Sequence, residues 1–183
     1  MKVKDIVAGS ARLVLKDALA GKIEAGTALT SEEQADADLL LKGYNLVLNE
    51  VAIDRLPLES EERVFGESVA FSSLSRPPLK ITKVTTDSGH EVSYSVSYDR
   101  IDFPKADWYN IRYSFIPPKK IMTDDFDYEK SKVGERAFLY GTASEYCVMT
   151  GRYEEATNWR LKFENASSPL RKPVKKIKGR IWG

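Results

Sequence analysis

The chain has 183 residues and a mass of 20.6 kDa, is 42% hydrophobic and 30% charged, and carries 28 Lys+Arg against 27 Asp+Glu for a net charge of +1. That size suits one domain with a modest insert, and that balance lies far from the low-hydrophobicity, high-charge regime of disordered chains. One cysteine, Cys147, excludes a disulfide within the chain; with one histidine, His90, it also excludes a Cys/His zinc site built by a single copy.

Taken in chain order, Val3, Ile6, Val7, Ala11, Val14, Leu15 and Ala18 recur at helical spacing and predict a first helix from Val3 to about Leu19, with Gly21 as its stop. The N-terminal stretch starts basic, but charge breaks its apolar run within a few residues. A secretory signal is therefore not expected, and a soluble, reducing setting is. Thr30 with Glu33, or Ser31 with Gln34, offers a capping box for a second helix running to about Asp54. In it Leu40, Tyr44, Val47 and Val51 recur at helical spacing, and Ala37, Leu41 and Leu48 widen the stripe, as in a helix buried on more than one side. Gly43 costs this helix about 1 kcal/mol relative to alanine, and Leu56-Pro57-Leu58 ends it.

The middle third changes period. Val64 to Phe71 reads as a weak strand, and Pro77-Pro78 opens another through Leu79–Val84. After the turn Asp87-Ser88-Gly89, residues Glu91–Tyr98 alternate so that Val92, Tyr94, Val96 and Tyr98 share one strand face. A further alternation groups Tyr109, Ile111, Tyr113 and Phe115. Turn signals at short spacing favour an antiparallel meander over βαβ crossovers.

A polar connector, Thr123–Lys130, leads into a helix from about Val133 to Met149, with Ala137, Tyr140, Ala143/Ser144 and Cys147 along one flank. After Thr150-Gly151 a second helix sets Tyr153, Ala156, Trp159, Phe163 and Ala166 at helical spacing. Such a short link favours antiparallel packing. The expected fold is α+β, a helical body of N-terminal helices packed with a C-terminal helical hairpin, into which an antiparallel β-meander or sandwich is inserted. The divisions are 1–58 for the N-terminal helices, 59–118 for the β subdomain, 119–170 for the connector and hairpin, and 171–183 for a basic arm.

Catalytic patterns are sparse. The sequence holds no G-x-x-x-x-G-K-S/T, G-x-G-x-x-G, H-E-x-x-H or G-x-S-x-G. His90 reads as a polar residue at a turn edge, and Cys147 as a buried core thiol late in its helix. Asp124, Asp125, Asp127 and Glu129 resemble a calcium loop only superficially: counted from Asp125, the positions that need Gly and Glu are Lys130 and Arg136. Glu61/Glu62 and Glu154/Glu155 are neighbours in sequence and poorly placed to act as an acid/base couple. No catalytic residue, cofactor or metal is assigned. If a hydrolase or transferase site exists, its candidates are His90, Asp102 and Asp107.

Charge is concentrated at 171–183, where Arg171, Lys172, Lys175, Lys176, Lys178 and Arg180 occur with no acid, followed by Ile181 and Trp182. The other 170 residues carry 22 basic and 27 acidic groups, so an acidic body bears a basic arm. Three uses suit that composition: a strap onto the acidic body of a neighbouring copy, anchored by Ile181 and Trp182; a DNA contact through phosphate neutralisation; or a solubilising tail.

The helix pair through residues 141–159, with the step Tyr153-Glu154-Glu155-Ala156, and the β segment from Val96 to Pro118 carry a resemblance. The chain resembles the head-to-tail connector (adaptor) proteins of tailed phages and prophages, the family that includes podovirus tail tubular protein A. The likeness is architectural over 30–170 and reaches sequence level over 107–166. It implies a non-enzymatic virion subunit that forms a ring, dodecameric by resemblance, between portal and tail proteins at the virion neck, and that sits in the host cytoplasm before assembly without touching a membrane. The alternatives are another head- or tail-completion protein, or a DNA-binding module that uses the basic arm.

Overall fold

The computed structural model describes residues 1–129, 131 and 134–168. Among them, five α-helices and a four-stranded antiparallel sheet form the α+β architecture: α1 (Val3–Leu13), α2 (Asp17–Ala25), α3 (Ser31–Glu50), β1 (Leu58–Ala70), β2 (Pro78–Thr86), β3 (Ser95–Val96), β4 (Arg100–Phe115), α4 (Glu135–Met149) and α5 (Tyr153–Ser167).

The first expected helix is two helices. The amides of Leu15 and Lys16 donate to the carbonyls of Arg12 and Ala11, closing α1 in a Schellman motif. Leu15 takes the left-handed position, φ 65°, that glycine ordinarily fills. Gly21 stops nothing; α2 runs through it to Ala25, and Gly26 at φ 66° is the C-cap. Of the two capping boxes, Thr30/Glu33 forms: the Glu33 amide donates to Thr30 Oγ1 at 3.3 Å, and the Thr30 amide to Glu33 Oε2 at 2.8 Å. A π-helical turn, Val51–Arg55, carries α3 on toward Leu56.

One hydrophobic core joins the helices from both ends of the chain. Ile6, Leu40, Tyr44, Val47, Phe138, Cys147 and Phe163 are all buried in it. Two glycines set its spacing. A Cβ on Gly141 would lie 2.8 Å and 2.9 Å from the Val47 methyls, and one on Gly43 would lie 3.1 Å from Glu145 Cβ. Gly43 thus allows α3 to approach α4 closely, in return for its lower helix propensity.

The connector is not merely a solvated acidic loop. Phe126 and Tyr128 enter the helical core around Phe138, at ring separations of 4.8 Å and 5.3 Å. The carbonyls of Asp124 and Met122 accept from the Val3 and Lys4 amides, so the connector satisfies donors that the start of α1 leaves orphaned.

The sheet has its own core. Tyr109, Ile111, Tyr113 and Phe115 share the buried face of β4, as their alternation predicts, and pack with Val69, Ile81, Val84 and Ile101. Strand order departs from a sequential meander: β4 lies between β1 and β2, and β3 pairs with β4. The expected eight-residue strand at 91–98 is a correction. Only Ser95–Val96 forms a strand; Val92 and Tyr94 pack on the core, whereas Val96 and Tyr98 are exposed. The segment follows β2 as far as the bond from the Val92 amide to the Val84 carbonyl, then crosses to Ile101 and Asp102 of β4, and one face cannot be kept through that change of partner.

Candidate interaction surfaces

Because β4 is central, its outward side chains Trp108, Asn110 and Arg112 lie mid-face on the solvent side of the sheet. β1 aligns Phe65 opposite Trp108, Arg63 opposite Asn110 and Glu61 opposite Arg112. Phe65 and Trp108 are 60% and 43% exposed, with ring centroids 5.2 Å apart. Arg63 lies 4.2 Å over the Trp108 ring, and its guanidinium forks onto the Asp87 carboxylate. The hydrogen bonds from Arg63 hold Asp87 below the usual carboxylate range. Beyond Phe65, at Gly66 (φ 151°), the register shifts: Gly66 faces Asp107 and Ser68 faces Asp102, so the extra residues bulge out of β4 and the matched register ends. The result is a rigid aromatic and cationic patch of the composition that supplies binding energy at protein interfaces.

In the helical body, Arg55 ties the π-helical turn to α5. Its guanidinium donates to Glu50 and Glu164 at 2.7 Å each and to Ser167 at 2.5 Å, and it stacks 4.5 Å over Phe163. Arg160 pairs with the same two acids and lies over the same ring. Burial pushes the Glu50 carboxyl up, but the bonds from Arg160 and Arg55 outweigh it and hold Glu50 low. A second network joins α2 to α4 through α3: Lys16 donates to Asp36 at 2.5 Å, and the Tyr146 hydroxyl donates to the same carboxylate at 2.6 Å. Glu145 differs, raised by burial and by the nearby Glu50 despite Arg160. These groups clamp helices together.

Two grooves accompany them. One, about 610 Å³, lies between the start of α4 and the end of α5 and is lined by Glu135, Arg136, Tyr140, Lys162 and Asn165; Tyr140 stacks on Trp159 beside it. The other, about 450 Å³, lies at the ends of β1 and β4 beside the segment that follows β4, bounded by Leu58, Arg76, Phe115, Pro117 and Lys120.

The basic arm residues, Arg171, Lys172, Lys175, Lys176, Lys178, Arg180, Ile181 and Trp182, lie outside the described residues. His90 sits at the exposed turn after β2, where its amide donates to Thr86 Oγ1. Asp102 accepts from Ser68 and Ser97, and Asp107 pairs with Lys105, so no hydrogen bond or ion pair joins any two of His90, Asp102 and Asp107 among the described residues. Cys147 is fully buried, and burial pushes its thiol up. The connector acids have separate partners: Lys2 for Asp125, Lys120 for Asp127 and the terminal amine for Glu129. Among the described residues no group of three possible metal ligands occurs, and no helix is long and apolar enough to cross a membrane.

No family model and no curated protein matches the chain. Nothing local in the sequence marks the Phe65–Trp108 patch, because the two residues meet only through the β1–β4 register. The Glu50–Arg160 pair spans 110 positions and leaves no local signal.

Proposed function

We propose that this protein is a non-enzymatic virion subunit, a head-to-tail connector that associates with copies of itself into a ring between portal and tail. The observation that carries the reading is the two-part build: helices from both chain ends share one core, and the sheet between them has a separate core and an outward face bearing Phe65, Trp108 and Arg63. On this reading the helical body packs side to side with its neighbours, and the sheet offers a second, independent contact. Heterologous contacts of that kind generate closed rings when their rotation closes. The resemblance to the connector family supports a ring at the virion neck and implies twelve copies. Electron microscopy of concentrated protein and of virion necks is the test. A ring between portal and tail supports the assignment, whereas protein found only in tail fibres or cytosol rejects it.

The six cations of 171–183, without a single acid, favour one second reading, a DNA-binding module. Its affinity for duplex DNA would fall steeply with salt and vanish on deleting that segment; no binding at low salt removes it.

A further inference from the structure

The groove of about 450 Å³ at the ends of β1 and β4 is built from rigid pieces. Leu58 opens β1 and faces Phe115 at the end of β4. Beyond Phe115 the chain runs Ile116-Pro117-Pro118, and Ser75-Arg76-Pro77 leads into β2. The three prolines lining the groove fix φ and carry no amide that would need a partner. Hydrogen bonds hold both segments. The Ser75 amide and hydroxyl donate to the Glu62 carboxylate, the hydroxyl at 2.6 Å, and the Tyr113 hydroxyl donates to the same carboxylate. The Lys120 amide donates to Asn45 Oδ1 at 2.7 Å, and Asn45 Nδ2 donates back to the Lys120 carbonyl at 3.1 Å. The groove is thus preformed, and its size falls in the range of small-molecule sites, about 300–1,000 Å³.

Its charge is unbalanced at one residue. Of the four arginines between 58 and 118, Arg63 pairs with Asp87, Arg100 with Asp102 and Arg112 with Glu61. Arg76, the fourth, lies 4.2 Å over the Phe115 ring, and among the described residues its side chain makes no hydrogen bond or ion pair. The acid whose charge it faces, Glu62, is taken by Ser75 and Tyr113. Lys120, the other cation lining the groove, is neutralised by Asp127 at 2.9 Å. One guanidinium therefore keeps its donors open beside walls made by Leu58, Phe115, Ile116 and the prolines.

We propose that this groove binds a small apolar monocarboxylate, with the carboxylate on Arg76 and the hydrocarbon body against Phe115, Ile116 and Pro117. A planar guanidinium matches a planar carboxylate through two parallel hydrogen bonds. A neutral ligand leaves that cation unanswered. A phosphate dianion brings a second charge for which the walls hold no free cation, and Asp127 repels it. The Phe115 ring steadies the guanidinium, so little side-chain freedom is lost on binding. The site does not rest on the connector reading, because a single chain supplies every lining residue.

The test titrates the full chain with phenylbutyrate and follows backbone amides by NMR. The amides of Leu58, Arg76 and Ile116 should shift and approach saturation by about 10 mM probe. Phenylbutyramide, the same shape without the charge, and phenyl phosphate should each bind at least about tenfold more weakly. Arg76→Gln, at an exposed position, should leave the rest of the spectrum in place and lower the carboxylate to the affinity of the amide. Four results would each overturn the assignment: no shift by about 10 mM, shifts confined to the groove beside Tyr140 and Lys162, equal affinity for carboxylate and amide, or an Arg76→Gln variant that binds phenylbutyrate as the parent does.

Discussion

Replacing Arg55 by methionine tests how the helical body is held. The Arg55 side chain is 7% exposed and donates to Glu50, Glu164 and Ser167; Arg160 serves the same two acids but is 40% exposed. Removing one partner of a buried ion pair costs about 3–5 kcal/mol. Here both acids keep Arg160, so Arg55→Met should cost about 2–3 kcal/mol, whereas Arg160→Met, at a more exposed pair, should cost about 1 kcal/mol or less. For a chain of this size that separates the variants in Tm, with a drop of about 5–10 °C against about 3 °C or less. The loss should also depend on pH. Glu50 has a folded-state pKa below its unfolded value, so its contribution is complete above the ordinary carboxylate range and is lost as pH falls through the folded-state value. The gap between parent and Arg55→Met should therefore narrow in acid. Thermal melts at neutral and acid pH measure both effects. Equal losses in the two variants, or a gap indifferent to pH, would refute the view that the buried guanidinium organises this corner.

Other substitutions probe the remaining features. Gly141→Ala should destabilise by about 1–3 kcal/mol, since its Cβ would sit inside the Val47 methyl contacts; chemical denaturation checks this. Glu145→Gln should stabilise modestly at neutral pH and not in acid, because a carboxyl raised by burial loses folding stability as pH climbs from its unfolded to its folded value. Urea titrations at the two pH values read the difference. Trp108→Ser with Phe65→Ser should lower stability by only about 1–2 kcal/mol, the loss of a part-exposed cross-strand pair, yet weaken self-association in sedimentation velocity. Asp36→Asn should loosen the hold of α3 on Lys16 and on α4 and speed amide exchange there, through the lost Lys16 ion pair.

What the sequence disclosed depended on whether the signal was local. The capping box of α3 and the β4 alternation are set by residues within a few positions; of the two capping pairs the sequence offers, Thr30/Glu33 forms, and the alternation holds. The break after α1 was hidden because leucine, not glycine, occupies the left-handed position at residue 15. The alternation over 91–98 misled because it reports which residues are apolar, not whether a strand has one continuous partner. Thr123–Lys130 looked like solvent-exposed polarity, yet Phe126 and Tyr128, spaced two apart, are its anchors in the helical core. The outer patch needed the pairing of Phe65 with Trp108 across 43 positions, which only the register reveals.

Whether the molecule acts by assembly is tested most directly by concentrating the full chain and imaging it by electron microscopy alongside sedimentation velocity. Closed rings of uniform subunit number, weakened by Trp108→Ser with Phe65→Ser, are the predicted result. A monomer persisting to millimolar concentration, indifferent to those substitutions, contradicts it.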